Sequence, residues 1–204
     1  MPPFAAPTVS AQNAARQQTN QHLTTLLTGI ACGDQDAFAS FYDQTQRLVF
    51  GLTLRILQDR GLAEEVTSDV FMQVWRQAAN FEMMRGTPLS WLMTITRTRS
   101  IDRLRASSYL RQESELPDTI TEHHAPADSP EQASVYAEQQ RLVRAALAQL
   151  TAEQRVLIEA AYFEGLSQSE LAEKFALPLG TVKTRVRTGL LLLKKYLPAT
   201  LLEN

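Results

Sequence analysis

The chain has 204 residues, 44% of them hydrophobic, a formal net charge of −2 and a single cysteine, Cys32. That length fits one or two domains, and the apolar fraction is ample for a packed core. No apolar run is long enough to cross a membrane, Met1 to Ser10 lacks the basic start and apolar stretch of a secretion signal, and one cysteine excludes an internal disulfide and a thiolate metal cage.

A cytoplasmic location is therefore expected. The near-neutral charge conceals an asymmetry. Residues 106–136 hold one cation, Arg111, against Glu113, Glu115, Asp118, Glu122, Asp128 and Glu131. Lys183 to Lys195 hold five cations and no acid. Acid gathered in one segment leaves the others able to bind a polyanion.

Residues 1–20 are rich in Ala, Gln, Asn, Thr and Pro, without apolar periodicity, and are expected to form a disordered tail. From 21 to 105 the apolar spacing is helical. Leu23, Leu26, Leu27 and Ile30 make a first stripe that stops near Gly33. Phe38, Phe41 and Tyr42 open a second helix, continued by Leu48, Leu52, Ile56 and Leu57. Leu62, Val66, Val70 and Val74 recur every fourth residue in a third, with Phe71 and Trp75 widening its buried side. A loop at Met83 to Pro88 precedes a fourth helix marked by Leu89, Trp91, Leu92, Ile95, Ile101 and Leu104. Residues 106–136, with Pro117, Pro126 and Pro130, read as an irregular acidic linker.

Residues 137–198 return to helical spacing. Leu142, Val143, Ala146 and Leu150 give one face, and Val156, Leu157, Ala160 and Ala161 another that ends at Gly165. Ser167 and Glu170 have the spacing of a capping box. Two short helices around the turn Ala176 to Gly180 then read as a helix-turn-helix, a device for setting one helix in the major groove. No strand pattern occurs. The expected fold is all-α: two small helical domains, 21–105 and 137–204, joined by a flexible acidic linker.

Three stretches carry chemistry. In the proposed recognition helix Val182, Val186, Leu190 and Leu193 can face inward, which turns Lys183, Thr184, Arg187 and Thr188 outward with Arg185 at the flank. Cations and hydroxyls there suit phosphate anchoring and contact with base edges. Between Arg97 and Arg105 four arginines face one acid, Asp102, and Arg97, Arg99 and Arg103 can reach one broad side. Such a helix suits single-stranded or distorted nucleic acid, although Trp91 reads as a core residue rather than a stacking platform. Glu64, Glu65 and Asp69 lie exposed along the third helix, and from spacing alone they form a solvated face. No catalytic constellation, Gly-rich phosphate loop or nucleophile elbow is present. His22, His123 and His124 are the only histidines, and the adjacent pair lacks a third ligand. No enzyme activity, cofactor, metal or small-molecule substrate is expected.

Together these stretches resemble a bacterial RNA polymerase sigma factor of the extracytoplasmic-function group, over about Leu23 to Leu197. Ala63 to Arg76 looks like region 2.2, Trp91 to Arg105 like regions 2.3 and 2.4, and Leu150 to Ile158 with the helix-turn-helix like regions 4.1 and 4.2. The resemblance implies that Glu65, Ser68 and Asp69 dock on core RNA polymerase, which overrides the solvated-face reading. It implies that Arg97, Thr98, Arg99 and Arg103 engage the promoter −10 element as it melts. It implies that the loop Phe81 to Pro88 helps capture a flipped base, and that Thr181, Lys183, Thr184, Arg185 and Arg187 read the −35 element. The family often has Gln where Ser68 stands and Asn where Thr98 stands. The acidic linker would thread along the polymerase channels, and an anti-sigma factor, often membrane-anchored in this family, would be the regulating partner. A stand-alone helix-turn-helix regulator is the alternative; it needs a ligand pocket within 21–105 and gives Arg97 to Arg105 no role. A helical adaptor that binds only proteins leaves the cations from Lys183 to Lys195 unexplained.

Overall fold

A computed structural model of the chain describes residues 9–112 and 143–197. Among the described residues every regular element is helical. The chain divides into two compact units, Met1–Ser100 and Ile101–Glu203, with the boundary inside a continuous helix.

The first unit is built on α1 (Val9–Ala31), α2 (Gln35–Leu57), α3 (Arg60–Gln77) and the part of α4 (Pro88–Gln112) up to Ser100. Helix α1 begins well inside the segment that composition assigned to a disordered tail. Ala, Gln and Arg are good helix formers, and weak apolar periodicity removes a packing signal without removing that propensity. Leu23, Leu27 and Ile30 are buried, as their spacing predicts. Gly33 turns the chain at φ 84°, a left-handed conformation that favours glycine. Asp34 then caps α2, its Oδ1 accepting from the N–H groups of Asp36 and Ala37 at 2.9 and 3.1 Å.

The buried row of α2 differs from the expected one. It runs Phe41, Thr45, Val49, Thr53, Ile56, while Leu48 is exposed. Threonine is tolerated there because each hydroxyl finds an acceptor. Thr45 Oγ1 donates to the Phe41 carbonyl at 2.7 Å, and Thr53 Oγ1 donates to Phe50 O at 2.9 Å and sits 3.2 Å from Thr67 Oγ1 on α3. Phe38 and Tyr42 of α2 meet Phe71 and Trp75 of α3, with centroid distances of 4.5 to 6.4 Å.

Helix α4 continues to Gln112, seven residues into the segment assigned to the linker. No proline occurs between Pro88 and Pro117, so nothing local stops it at Arg105. The remainder of the acidic segment, with His123 and His124, lies outside the described residues. No helix among the described residues is long and apolar enough to cross a membrane.

The second unit includes a helical stretch at 143–147, then α5 (Ala152–Glu159), which continues as a π-helical turn over Ala160–Glu164. It is completed by α6 (Gln168–Lys174) and α7 (Leu179–Tyr196). Leu157, Ala160, Leu171, Val182 and Val186 form its core, lined by Leu166, Phe175 and Leu177. Ser167 caps α6 with Glu170 in a reciprocal capping box, as the sequence predicts, and Thr151 with Gln154 does the same for α5. The turn is shorter than expected: α7 takes in Leu179 and Gly180, and the left-handed residue is Ala176, at φ 50°. Three apolar assignments are corrected, the first being Val143, which is exposed. Val156 and Leu190 are exposed, and Gly189 holds the buried position on α7 instead. A methyl group on Gly189 would lie 2.6 Å from Ile158 Cδ1, so a larger residue there requires that side-chain end or the helix to move.

Candidate functional site

On α3, the buried residues Ala63, Val66, Thr67, Val70, Phe71 and Val74 fix which side faces inward. Glu64, Glu65, Ser68, Asp69 and Met72 therefore face outward, and all are exposed. Glu65, Ser68 and Asp69 are three and four residues apart and share a face. Glu64 is tied to Arg60 at 2.9 Å, and Ser68 Oγ donates to its carbonyl at 3.2 Å. Met72, 49% exposed, extends the acidic face with an apolar one. Sequence reasoning misses it, because one exposed methionine carries no spacing signal.

On α4, buried Leu92, Thr96, Ser100 and Ile101 set the inward side. Thr98 and Arg99 are exposed, whereas Arg97 and Arg103 are half-buried. Two residues turn an α-helix by about 200°. Arg97 and Arg99 thus leave opposite sides, and the single broad arginine face expected from sequence is not formed. Thr98 Oγ1 donates to Thr94 O at 2.9 Å, which leaves its lone pairs to accept. Arg99 Nε donates to Gln73 Oε1 of α3.

The loop before α4 is held by Phe81, whose ring centroid lies 5.8 Å from that of Trp91, and by an Arg85 to Glu82 ion pair at 2.9 Å. Trp91 is half-buried against Phe81, in keeping with a packing role. Met83 and Met84 are 68% and 97% exposed, so the loop presents two flexible, polarizable side chains.

On α7, Val182, Val186 and Gly189 face the core. Lys183, Thr184, Arg187 and Thr188 are exposed, as their spacing predicts, and Thr181 is half-buried. Lys183 and Arg187 are one turn apart on the same face. Thr184 Oγ1 donates to Gly180 O at 2.9 Å. Arg185 is set apart at the flank, where it pairs with Glu153 of α5 at 3.3 Å. The helix thus brings Lys183, Thr184 and Arg187 together and turns Arg185 toward α5. On α6, hydrogen bonds from the Ser167 hydroxyl and then its N–H hold the Glu170 carboxyl below the usual glutamate range. Among the described residues no group of three or more His, Cys, Asp or Glu side chains could hold a metal ion.

Comparison with known proteins places these faces in a family. Residues 41–109 match the family model described as Sigma-70 region 2, and residues 140–193 match the one described as Sigma-70, region 4. The ECF RNA polymerase sigma factor SigK of Mycolicibacterium vanbaalenii is 38% identical over 175 residues, covering 86% of this chain and 89% of that protein. The SigK protein of Mycobacterium ulcerans is 37% identical over 178 residues, covering 87% and 95%. A solved structure of Rhodobacter sphaeroides SigE in complex with the anti-sigma ChrR is 32% identical, covers 87% of this chain and 98% of that one, and has a TM-score of 0.44. With both sigma-70 regions in order and such relatives aligned along most of its length, the chain belongs to the extracytoplasmic-function sigma factors of RNA polymerase.

Proposed function

We propose that this cytoplasmic sigma factor divides its work between its two helical units. Glu65, Ser68 and Asp69 on α3 dock on the largest subunit of core RNA polymerase. Thr98 and Arg99, with Arg97 and Arg103 at the sides of α4, engage the −10 element as it melts. The loop from Phe81 to Pro88 borders the pocket for a flipped base. Extruding a base costs a few kcal/mol, and its capture offsets that cost. Lys183, Thr184 and Arg187 read the −35 element as duplex, with Thr181 and Arg185 reaching phosphates beside it. The acidic linker runs along the polymerase channels. An anti-sigma protein, often membrane-anchored in this family, controls access to these faces.

The observation that carries this reading is the separation of charge between exposed faces. The outward side of α3 presents Glu65 and Asp69, and the outward side of α7 presents Lys183 and Arg187. An acidic edge repels DNA and suits a basic protein surface, whereas the basic face attracts phosphate. Neither face needs high affinity alone, because polymerase holds both and tethering raises effective concentration.

The test is transcription from a genomic template library by core polymerase supplemented with the purified protein. Start sites should appear that share a −10 and a −35 sequence. Failure to bind core where a control sigma factor binds would sink the reading. Tight duplex binding without polymerase would favour a stand-alone regulator.

A further inference from the structure

Helices α3 and α4 share a polar contact that no role above uses. Gln73, half-buried on α3, accepts at Oε1 a hydrogen bond from Nε of Arg99 at 2.5 Å. Its amide nitrogen donates to Gln77 Oε1, one turn further on, at 3.0 Å. The two bonds agree on one orientation of the Gln73 amide. A flipped amide would set its nitrogen against the Arg99 Nε–H, donor against donor.

Nε lies at the base of the guanidinium plane. A bond there restrains the guanidinium plane through Nε and leaves the outer edge, with its two Nη groups, to other partners. That outer edge is the one that makes bidentate contacts with phosphates and base edges. An exposed arginine otherwise samples many rotamers, and holding one of them beforehand lowers the entropic cost of binding. We propose that Gln73, supported by Gln77, is a positioning residue that presents Arg99 to the −10 element. This rests on the assignment of Arg99 to that element.

The experiment uses full-length protein assembled with core polymerase. The probe is a fork-junction DNA built from the strongest promoter found in the genomic library, with the −10 bases of one strand unpaired. A second probe has those bases scrambled. Arg99→Ala should lower the preference for the true over the scrambled probe about tenfold, and Gln73→Leu about fivefold. The double variant should be no worse than Arg99→Ala. In an Arg99→Lys background, which keeps the charge but has no Nε donor, Gln73→Leu should have no effect. Melting temperature and core affinity should stay unchanged in the Gln73 variant, which separates positioning from general destabilisation. Independent, multiplying effects of the two substitutions, or a silent Gln73→Leu beside an active Arg99→Ala, would overturn the proposal. A silent Arg99→Ala would instead overturn the assignment of Arg99 itself, and the coupling with it.

Discussion

The two units solve the same problem, holding a charged helix at a fixed angle, by different means. The N-terminal unit relies on side chains that meet across long stretches of chain. Phe38 and Tyr42 reach Phe71 and Trp75, and Thr53 reaches Thr67. The C-terminal unit has a smaller core and leans on local devices: two capping boxes, a left-handed Ala176 and a glycine at the helix crossing. The first unit therefore draws its rigidity from packing, which is cooperative and costly to breach. In the second, several individually modest contacts share that role, and each can be removed alone.

The largest expected effect tests the packing side. Phe41 is fully buried, so Phe41→Ala should destabilise the first unit by about 3–5 kcal/mol. Urea unfolding of the full chain should then show that unit melting early. An unchanged transition would mean that the core is less closely packed than its burial suggests.

Two substitutions sharpen the functional half of the comparison. Asp69→Lys puts a like charge against a basic partner and should weaken core polymerase binding about tenfold or more while sparing −35 duplex recognition. Arg187→Ala should lower −35 affinity by about 1–3 kcal/mol and leave core binding intact. Fluorescence titration with core polymerase and with duplex probes measures both. Equal loss of core binding in the two variants would break the division of labour.

A smaller effect probes the local devices. Ser167→Ala removes the cap of α6 and should destabilise the second unit by about 1 kcal/mol, read as a lower melting temperature. The Phe41 transition should not move with it.

The smallest effect follows from Glu170. Its folded carboxyl is held below the usual value of 4.5, so the cap is stronger with Glu170 ionised. That contribution is present above pH 4.5 and is lost as pH falls through the lower folded value. A melting series below pH 4.5 should show the wild type losing a small increment of stability that a Glu170→Gln variant lacks.

The same contrast explains what the sequence made legible. The Ser167 to Glu170 cap was visible because its partners are three residues apart. Val182 and Val186 were visible because only one helical face of α7 is both apolar and free of cations. The buried row of α2 was misread for a tertiary reason. Leu48 and Leu52 also recur at helical spacing, and only tertiary packing decides that Thr45 and Thr53 go inside, Thr53 meeting Thr67 of α3. Arg97 and Arg99 do not share a face, because positions two apart diverge around a helix. The Gln73 to Arg99 bond spans 26 residues and left no local trace.

Gly189 has a further consequence. It faces away from the exposed cations of α7 and seats the helix against Ile158. A side chain there has to displace the end of Ile158 or shift α7, and a shift would change the tilt at which Lys183 and Arg187 are presented. Promoter preference could then drift with every base-facing residue unchanged. The residue that seats α7 lies on its hidden side, where a screen confined to exposed positions would never look.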